Sequence, residues 1–305
     1  MKLYYHKGKN FGDQLNPLIF DHFMPNAFDE NSEGLFVGIG SLIGLVSRFP
    51  QCKVVFSSGL ADGDASTYGP VPEDLSSFEF VCVRGPLTAR RLGLNADLAI
   101  TDGAILLAAM QLPLVRSHDV VSFMPHAGSE QFYDHQKMAE ELGWQFISPM
   151  EEPQQVLEKM MRSKFVVTEA MHGAIVADTL RIPWIPYVGF STVNQFKWKD
   201  WCMSMEMEYQ PHVLKPYFSS KMIKRLIQER LDSKGLHFFR WLLPILSKGV
   251  SMVMVFRWVS NRKKLKDLAR KENALLSQDL VFQNRLQRML DKVDWINENK
   301  KKWDS

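Results

Sequence analysis

Short apolar runs rich in Val, Ile, Leu and Phe, each closed by a polar or glycine-bearing turn, recur along the chain to about residue 190. Such runs read as buried strands, and the amphipathic segments between them, with apolar positions three and four apart, read as helices. The first set predicts strands at Lys2–His6, Leu35–Ile39, Lys53–Ser57, Phe78–Arg84 and Leu98–Ile100. A second set predicts strand Val120–Met124, helix Glu130–Leu142, strand Trp144–Ile147, helix Pro153–Arg162, strand Phe165–Thr168, helix Met171–Leu180 and strand Ile182–Val188. Between the sets, Gln111-Leu112-Pro113-Leu114 breaks the alternation and predicts a hinge. The pattern implies an α/β protein with two Rossmann-like doubly wound domains, residues 1–112 and 113–210, facing a cleft.

After Val188 the pattern changes. An aromatic and basic run, Phe196-Lys197-Trp198-Lys199-Asp200-Trp201, precedes a predicted helix at Ser219–Leu231. The apolar stretch His237–Trp258 is interrupted by Pro244, Lys248 and Gly249, so it falls short of the roughly 20 apolar residues a spanning helix needs and reads as a buried or interfacial segment. Beyond it, Leu265, Leu268, Leu275, Leu276, Leu286, Leu290, Val293 and Ile296 recur at helical spacings, predicting one long amphipathic helix or two. Residues 211–305 therefore form a helical, basic extension. Its apolar stripe can pack on the protein's own surface, self-associate as a coiled coil, or lie on an anionic bilayer surface. No nucleic-acid motif accompanies the charge, so no such partner is expected.

Composition narrows the classes. With 305 residues, 46% of them hydrophobic and 23% charged, the chain is long enough for two packed domains and is not a disordered one. Net charge is +3, but residues 236–305 hold 15 Lys or Arg against 7 Asp or Glu, leaving an acidic body and a basic tail. Cys52, Cys82 and Cys202 are too scattered for a disulfide framework or a zinc site, so no metal is expected. The start turns polar within six residues and lacks the apolar core of a secretory signal, which predicts a cytoplasmic protein.

Candidate chemistry gathers at strand ends. From Val167 to Asp178 an apolar strand runs into a polar turn and a helix, with His172 at the helix start. Unpaired N–H groups and the helix dipole suit a phosphate or carboxylate there, beside an imidazole able to move protons. A capping or packing histidine is the plainer alternative. Asn10-Phe11-Gly12-Asp13 and Gly38-Ile39-Gly40-Ser41 also follow strands.

Read together, these turns resemble the polysaccharide pyruvyl transferase family, particularly its ExoV-like members of succinoglycan-type exopolysaccharide biosynthesis. The pieces are AsnPheGlyAspGlnLeuAsn at 10–16, GlyIleGlySer at 38–41, PheSerSerGly at 56–59, ValArgGlyProLeuThr at 83–88, GluAlaMetHisGlyAlaIleValAlaAsp at 169–178 and PheLysTrpLysAspTrp at 196–201. They cover about residues 1–205, and their order and spacing carry the resemblance. It implies a GT-B-like pair of domains and transfer of a carboxyvinyl-derived group from phosphoenolpyruvate to a sugar, giving a pyruvate ketal on a polysaccharide or its lipid-linked oligosaccharide precursor. The enzyme would need no cofactor and would work at the inner face of the plasma membrane, the tail lying on the bilayer. One position departs: many members carry an arginine two residues before the histidine, where this chain has Ala170.

A doubly anionic donor needs cations and oriented N–H groups. Arg84 is the expected clamp, with an interdomain salt bridge as its alternative, and Lys197 is second, between Phe196 and Trp198, which either stack on a sugar or pack as a lid. His172 is the expected acid, with Glu169 as its orienter or base, or else simply a first-turn carboxylate favoured by the helix dipole. Asp13 is the expected acceptor base, or else a helix cap, with Gly12 leaving space for the acceptor. Gly38, Gly40 and Ser41 read as an N–H cradle for donor or acceptor, a turn explained nearly as well by tight packing, with Asn10, Gly173 and His126 as further donor- or substrate-binding residues of the cleft. Two other functions stay open: a nucleotide-sugar glycosyltransferase, and an inactive membrane scaffold, which Ala170 favours.

Overall fold

The computed structural model describes residues 1–299 and 302, apart from 64, 113–116, 131, 190–192, 217, 219 and 235–242. Pro113 and Leu114 of the predicted hinge, the 237–242 start of the interfacial segment, and Ser219 lie outside the described residues.

The first half runs β1 (Lys2–Tyr4), α1 (Phe11–Phe23), β2 (Leu35–Val37), α2 (Ile43–Val46), β3 (Lys53–Phe56), α3 (Ala65–Tyr68), β4 (Phe78–Cys82) and α4 (Pro86–Arg91), followed by 3-10 segments at Ala96–Leu98 and Gly103–Ala109. Its four strands are parallel, in the order β1-β2-β3-β4. Both faces are covered, as a parallel sheet requires. Phe36, Val54 and Phe56 share a core with Leu15, Ile19 and Phe20 of α1, and Leu35, Val37 and Val55 share another with Ile43, Val46 and Ala89.

The second half runs β5 (Val120–Met124), α5 (Ala127–Glu130), α6 (His135–Leu142), β6 (Gln145–Phe146), α7 (Pro153–Met161), β7 (Ser163–Thr168), α8 (Met171–Thr179), β8 (Trp184–Val188), α9 (Gln195–Ser204) and β9 (His212–Val213). Its strands are also parallel, in the order β6-β5-β7-β8-β9. This order reverses between β5 and β7, and a reversal opens a crevice at the carboxyl ends of the two strands. The order of the first sheet never reverses among its described strands. A switch point is therefore found in the second sheet and not among the described strands of the first, while both halves keep parallel strands connected through helices as expected.

Three sequence readings need correction. Leu98–Ile100 is not a strand: Asn95 caps a 3-10 turn by accepting from the Asp97 N–H, and only an isolated bridge joins Ala99 to Val83. The predicted helix Glu130–Leu142 is split, α5 ending at Glu130 and α6 starting at His135, with Tyr133 turned into the core between them. The strand from Phe78 stops at Cys82, Val83 being joined only by its isolated bridge to Ala99, and at Gly85 the chain is pressed so closely on α9 that a Cβ would lie 2.1 Å from the Asp200 carbonyl oxygen.

The extension forms α10 (Ser220–Ser233), α11 (Leu243–Leu268) and α12 (Asp279–Asn299). Along the apolar stripe of α12, Phe282, Met289, Val293 and Ile296 are buried in the core cluster that also holds Leu15, Phe36, Ala174 and Ile175, and Val281 is buried beside them in sequence. Arg288 donates to the Asp97 carbonyl and Asn297 to that of Phe23, so α12 returns to the first half of the chain. Of the roles open to the tail, α12 takes the packing one. Leu265 of α11 packs with Phe123, Val167 and Ile185 of the second sheet. Among the described residues, no helix is long and apolar enough to cross a membrane.

Candidate active site

Three helix starts meet at one cavity. Helix α1 is capped by Asn10, whose Oδ1 accepts from the Gly12 N–H at 3.0 Å. Helix α9 is capped by Asn194, which accepts from the Lys197 N–H. Helix α8 follows β7 at the reversal point. Thr168 Oγ1 accepts from the Ala170 N–H, while Ala170 itself occupies the cap position of α8 and offers no side-chain acceptor. The first N–H groups of a helix have no partner within it, so the positive end of α8 is left for a ligand. The cavity has a volume of about 210 Å³, and its walls include Asn10, Asp13, His126, His172, Asn194 and Lys197.

His172 stands against Gly12. A Cβ at Gly12 would lie 2.0 Å from His172 Nδ1, so this glycine is required by the imidazole; the space assigned to the acceptor from sequence is the ring's own. The other ring nitrogen, Nε2, faces Asp102 Oδ2 at 3.6 Å, with both atoms buried and neither hydrogen-bonded. Asp102 caps the Gly103–Ala109 segment through Oδ1, which accepts from the Ala104 N–H.

Asp13 borders the same space. Burial pushes its carboxyl above the ordinary range, opposed by His172, His6 and Lys197. It does not cap α1, since Asn10 does, so the capping alternative falls and the carboxylate stays on the cavity wall. Lys197 is only partly accessible. Desolvation first, then the nearby Arg84 charge, lower its ammonium to about 8 against the pull of Asp13 and Asp102. Its Nζ lies 5.1 Å from the centre of the Tyr68 ring. His126 is lowered to about 4 by burial and by Lys197, and its Nδ1 accepts from the Gly128 N–H. In the neutral ring the proton then sits on Nε2.

Other predicted site residues take different places. Arg84 is fully buried: Nε donates to Asp200 Oδ2 at 3.2 Å, Nη1 to Ser41 Oγ and Nη2 to the Leu60 carbonyl. The salt-bridge alternative holds, and Arg84 reaches the cavity only through Ser41, which lines it. The fully buried Glu169 carboxylate accepts from Ser129 Oγ, the His126 N–H and the Gly189 N–H, pinning the loops around the cavity. Gly38 and Gly173 serve packing, their missing Cβ atoms making room for Phe20 and Asn16 in one case and for Thr168 and Met124 in the other. Gly40 lines the cavity at a φ of 131°, a conformation that favours glycine. Trp198 lines the cavity but stacks on Tyr209 and is 1% exposed, and the half-buried Phe196 lies under the Arg91 guanidinium, so both aromatics are packed on protein groups.

Asp102, His6, Tyr68 and Asn194 were not singled out from sequence. Asp102 precedes Gly103 and an apolar run, a local capping signal, but nothing local ties it to a histidine 70 positions away. Among the described residues, no group of three or more His, Cys, Asp or Glu side chains is placed to hold a metal ion.

The sequence profile of the polysaccharide pyruvyl transferase family matches residues 45–189. Over 218 residues the chain is 33% identical to the succinoglycan biosynthesis protein ExoV of Rhizobium meliloti (strain 1021), a match spanning 69% of this chain and 67% of that one.

Proposed function

The chain belongs to the polysaccharide pyruvyl transferase family, and from that premise we propose that its cavity takes phosphoenolpyruvate as donor and builds a cyclic pyruvate ketal on an exopolysaccharide sugar carried by a lipid-linked precursor. The enzyme is a polysaccharide pyruvyltransferase. The observation that carries the donor assignment is the convergence of the α1, α8 and α9 starts and Lys197 on a space of about 210 Å³. Drug-sized ligands usually occupy roughly 300–1,000 Å³, so the space suits a compact anion better than a nucleotide sugar. Positive potential here comes from a lysine and helix ends, which offsets the arginine that Ala170 replaces.

In this reading the donor's phosphate and carboxylate face Lys197 and the free N–H groups of α8. His172, as imidazolium, delivers a proton to the methylene carbon, and the second carbon becomes electrophilic. A sugar hydroxyl adds there as Asp13 takes its proton. The C–O bond to phosphate breaks with its electron pair leaving on phosphate, which accepts the proton held by Asp13. A second sugar hydroxyl then closes the ring, and its proton returns His172 to the imidazolium form. Isothermal calorimetry on the full chain tests the donor: heat with phosphoenolpyruvate and none with nucleotide sugars is expected, and the reverse would favour glycosyl transfer.

We also place the enzyme on the cytoplasmic face of the plasma membrane. Helix α11 buries Leu265 and Leu268 on one side, while Val255, Phe256 and Val259 are 60%, 72% and 50% exposed on the other, above the exposed Arg262, Lys263 and Lys266. Exposed apolar residues beside basic ones suit an anionic lipid surface. Removing the whole tail would take α12 out of the core, so the sharper test replaces Val255 and Phe256 with Ser. Sedimentation with anionic vesicles should fall while the melting temperature holds; unchanged sedimentation would overturn the membrane reading.

A further inference from the structure

We infer that Asp102 is the positioning residue for His172, holding the Nε2–H toward itself so that Nδ1 is the nitrogen that exchanges protons with substrate. The inference rests on the acid role of His172 in the proposed reaction, but its evidence is geometric.

Asp102 Oδ2 and His172 Nε2 are both buried and both lack a hydrogen-bond partner, yet they face each other at 3.6 Å. Leaving two such atoms unmade costs each its hydration, so the pairing they can form has a strong driving force. Closing the gap to an ordinary hydrogen bond takes about 0.4–0.9 Å. In catalytic sites such bonds are often long without ligand and tighten when substrate is bound. A carboxylate can only accept, so the nitrogen facing it must carry the hydrogen.

The rest of the ring's surroundings fix the other nitrogen. Nδ1 lies on the Gly12 side, toward the first turn of α1, where Asp13 borders the cavity. Nε2 has no access to solvent, so a substrate can meet the imidazole only along its remaining edge. Asp102 is itself held in place: Oδ1 accepts from the Ala104 N–H at 3.0 Å, and the side chain is fully buried. The carboxylate comes from the end of the first half of the chain and the imidazole from the second, so docking of the two halves sets the acid's orientation. The 3-10 segment that Asp102 caps packs directly on α8, and this contact carries the alignment.

In the imidazolium both nitrogens hold hydrogen; Nδ1 gives its proton to the donor's methylene carbon, and the neutral ring keeps the Nε2–H facing Asp102. The proton of the second sugar hydroxyl returns to Nδ1. Asp102 stays a carboxylate throughout.

The test uses the full chain with Asp102→Asn, Asp102→Ser and His172→Ala. Asn and Ser both keep an oxygen able to cap the Ala104 N–H, so the fold has a means to survive, and thermal melts verify that it does. The first readout is the nitrogen-15 signature of neutral His172 without substrate, which needs no reaction. It should report the Nε2–H tautomer in the parent protein and a mixture or the Nδ1–H tautomer in Asp102→Asn. The second is the kinetic split: kcat should fall by up to about ten-thousandfold with KM for phosphoenolpyruvate unchanged, the loss that follows when a carboxylate that sets an imidazole tautomer is replaced by an amide. An Nδ1–H tautomer in the parent protein overturns the inference. So does full activity in both folded Asp102 variants while His172→Ala is inactive, a result that leaves the wider reaction standing. Full activity in His172→Ala would instead sink the acid role itself.

Discussion

Two neighbouring regions of this molecule are built from the same ingredients, a cation and a carboxylate, and end in opposite conditions. Around Arg84 every group is answered: Asp200 accepts from Arg84 and Thr88 Oγ1 on one oxygen and from the Leu87 and Thr88 N–H groups on the other. Around His172, Asp102 Oδ2 and His172 Nε2 are left without partners, and Asp13 and Lys197 are displaced from their ordinary protonation ranges by burial. A saturated network fixes structure, whereas an unsaturated one leaves capacity for a ligand. The difference supports the proposed division, scaffold for the first region and chemistry for the second.

The largest expected effect tests the scaffold. Arg84→Ala leaves Asp200 buried without its charge partner and should lower stability by about 3–5 kcal/mol, the usual cost of breaking a buried pair. Denaturant unfolding measures it, and a loss below about 1 kcal/mol would break the contrast by making Arg84 dispensable to the fold. Next comes Gly12→Ala. Its Cβ would overlap the His172 ring, and a displacement of about 1 Å at a reacting group can cost about a hundredfold in rate. Ketal formation should fall by that order, and the overlap should also lower stability by about 1–3 kcal/mol in denaturant unfolding.

Lys197→Met should raise KM for phosphoenolpyruvate about tenfold, equivalent to about 1.4 kcal/mol. The pH dependence has a definite sign. Lys197 is lowered to about 8 in the free protein, so it is charged at neutral pH and loses its charge as pH rises through about 8. In the parent enzyme kcat/KM for the donor should decline along that limb, and the limb should vanish in Lys197→Met. A decline that persists in the variant would assign it to another group.

How much of this was legible in the sequence follows from the range of the interactions. Periodicity reports which residues a segment buries, so β1 to β8 and the α8 start with His172 could be read directly. Strand order is a long-range matter, and nothing in the runs themselves distinguishes β1-β2-β3-β4 from the reversed order of the second sheet. The Leu98–Ile100 run looked extended because it is apolar, but Asn95 caps a tight turn there and one bridge is all that forms. Arg84 and Lys197 are both cations near strand or helix ends; only the position of Asp200, 116 residues from Arg84, separates clamp from scaffold. Glycines were equally ambiguous. Gly40 adopts a positive φ at the cavity, Gly12 makes room for an imidazole, and Gly38 and Gly173 make room for core side chains.

The most direct test of the central claim is the pyruvate ketal methyl signal in exopolysaccharide from cells whose own gene is deleted and replaced by His172→Ala. With the variant present at the parent protein's level, the account predicts that the signal disappears. A signal of parental intensity would contradict it.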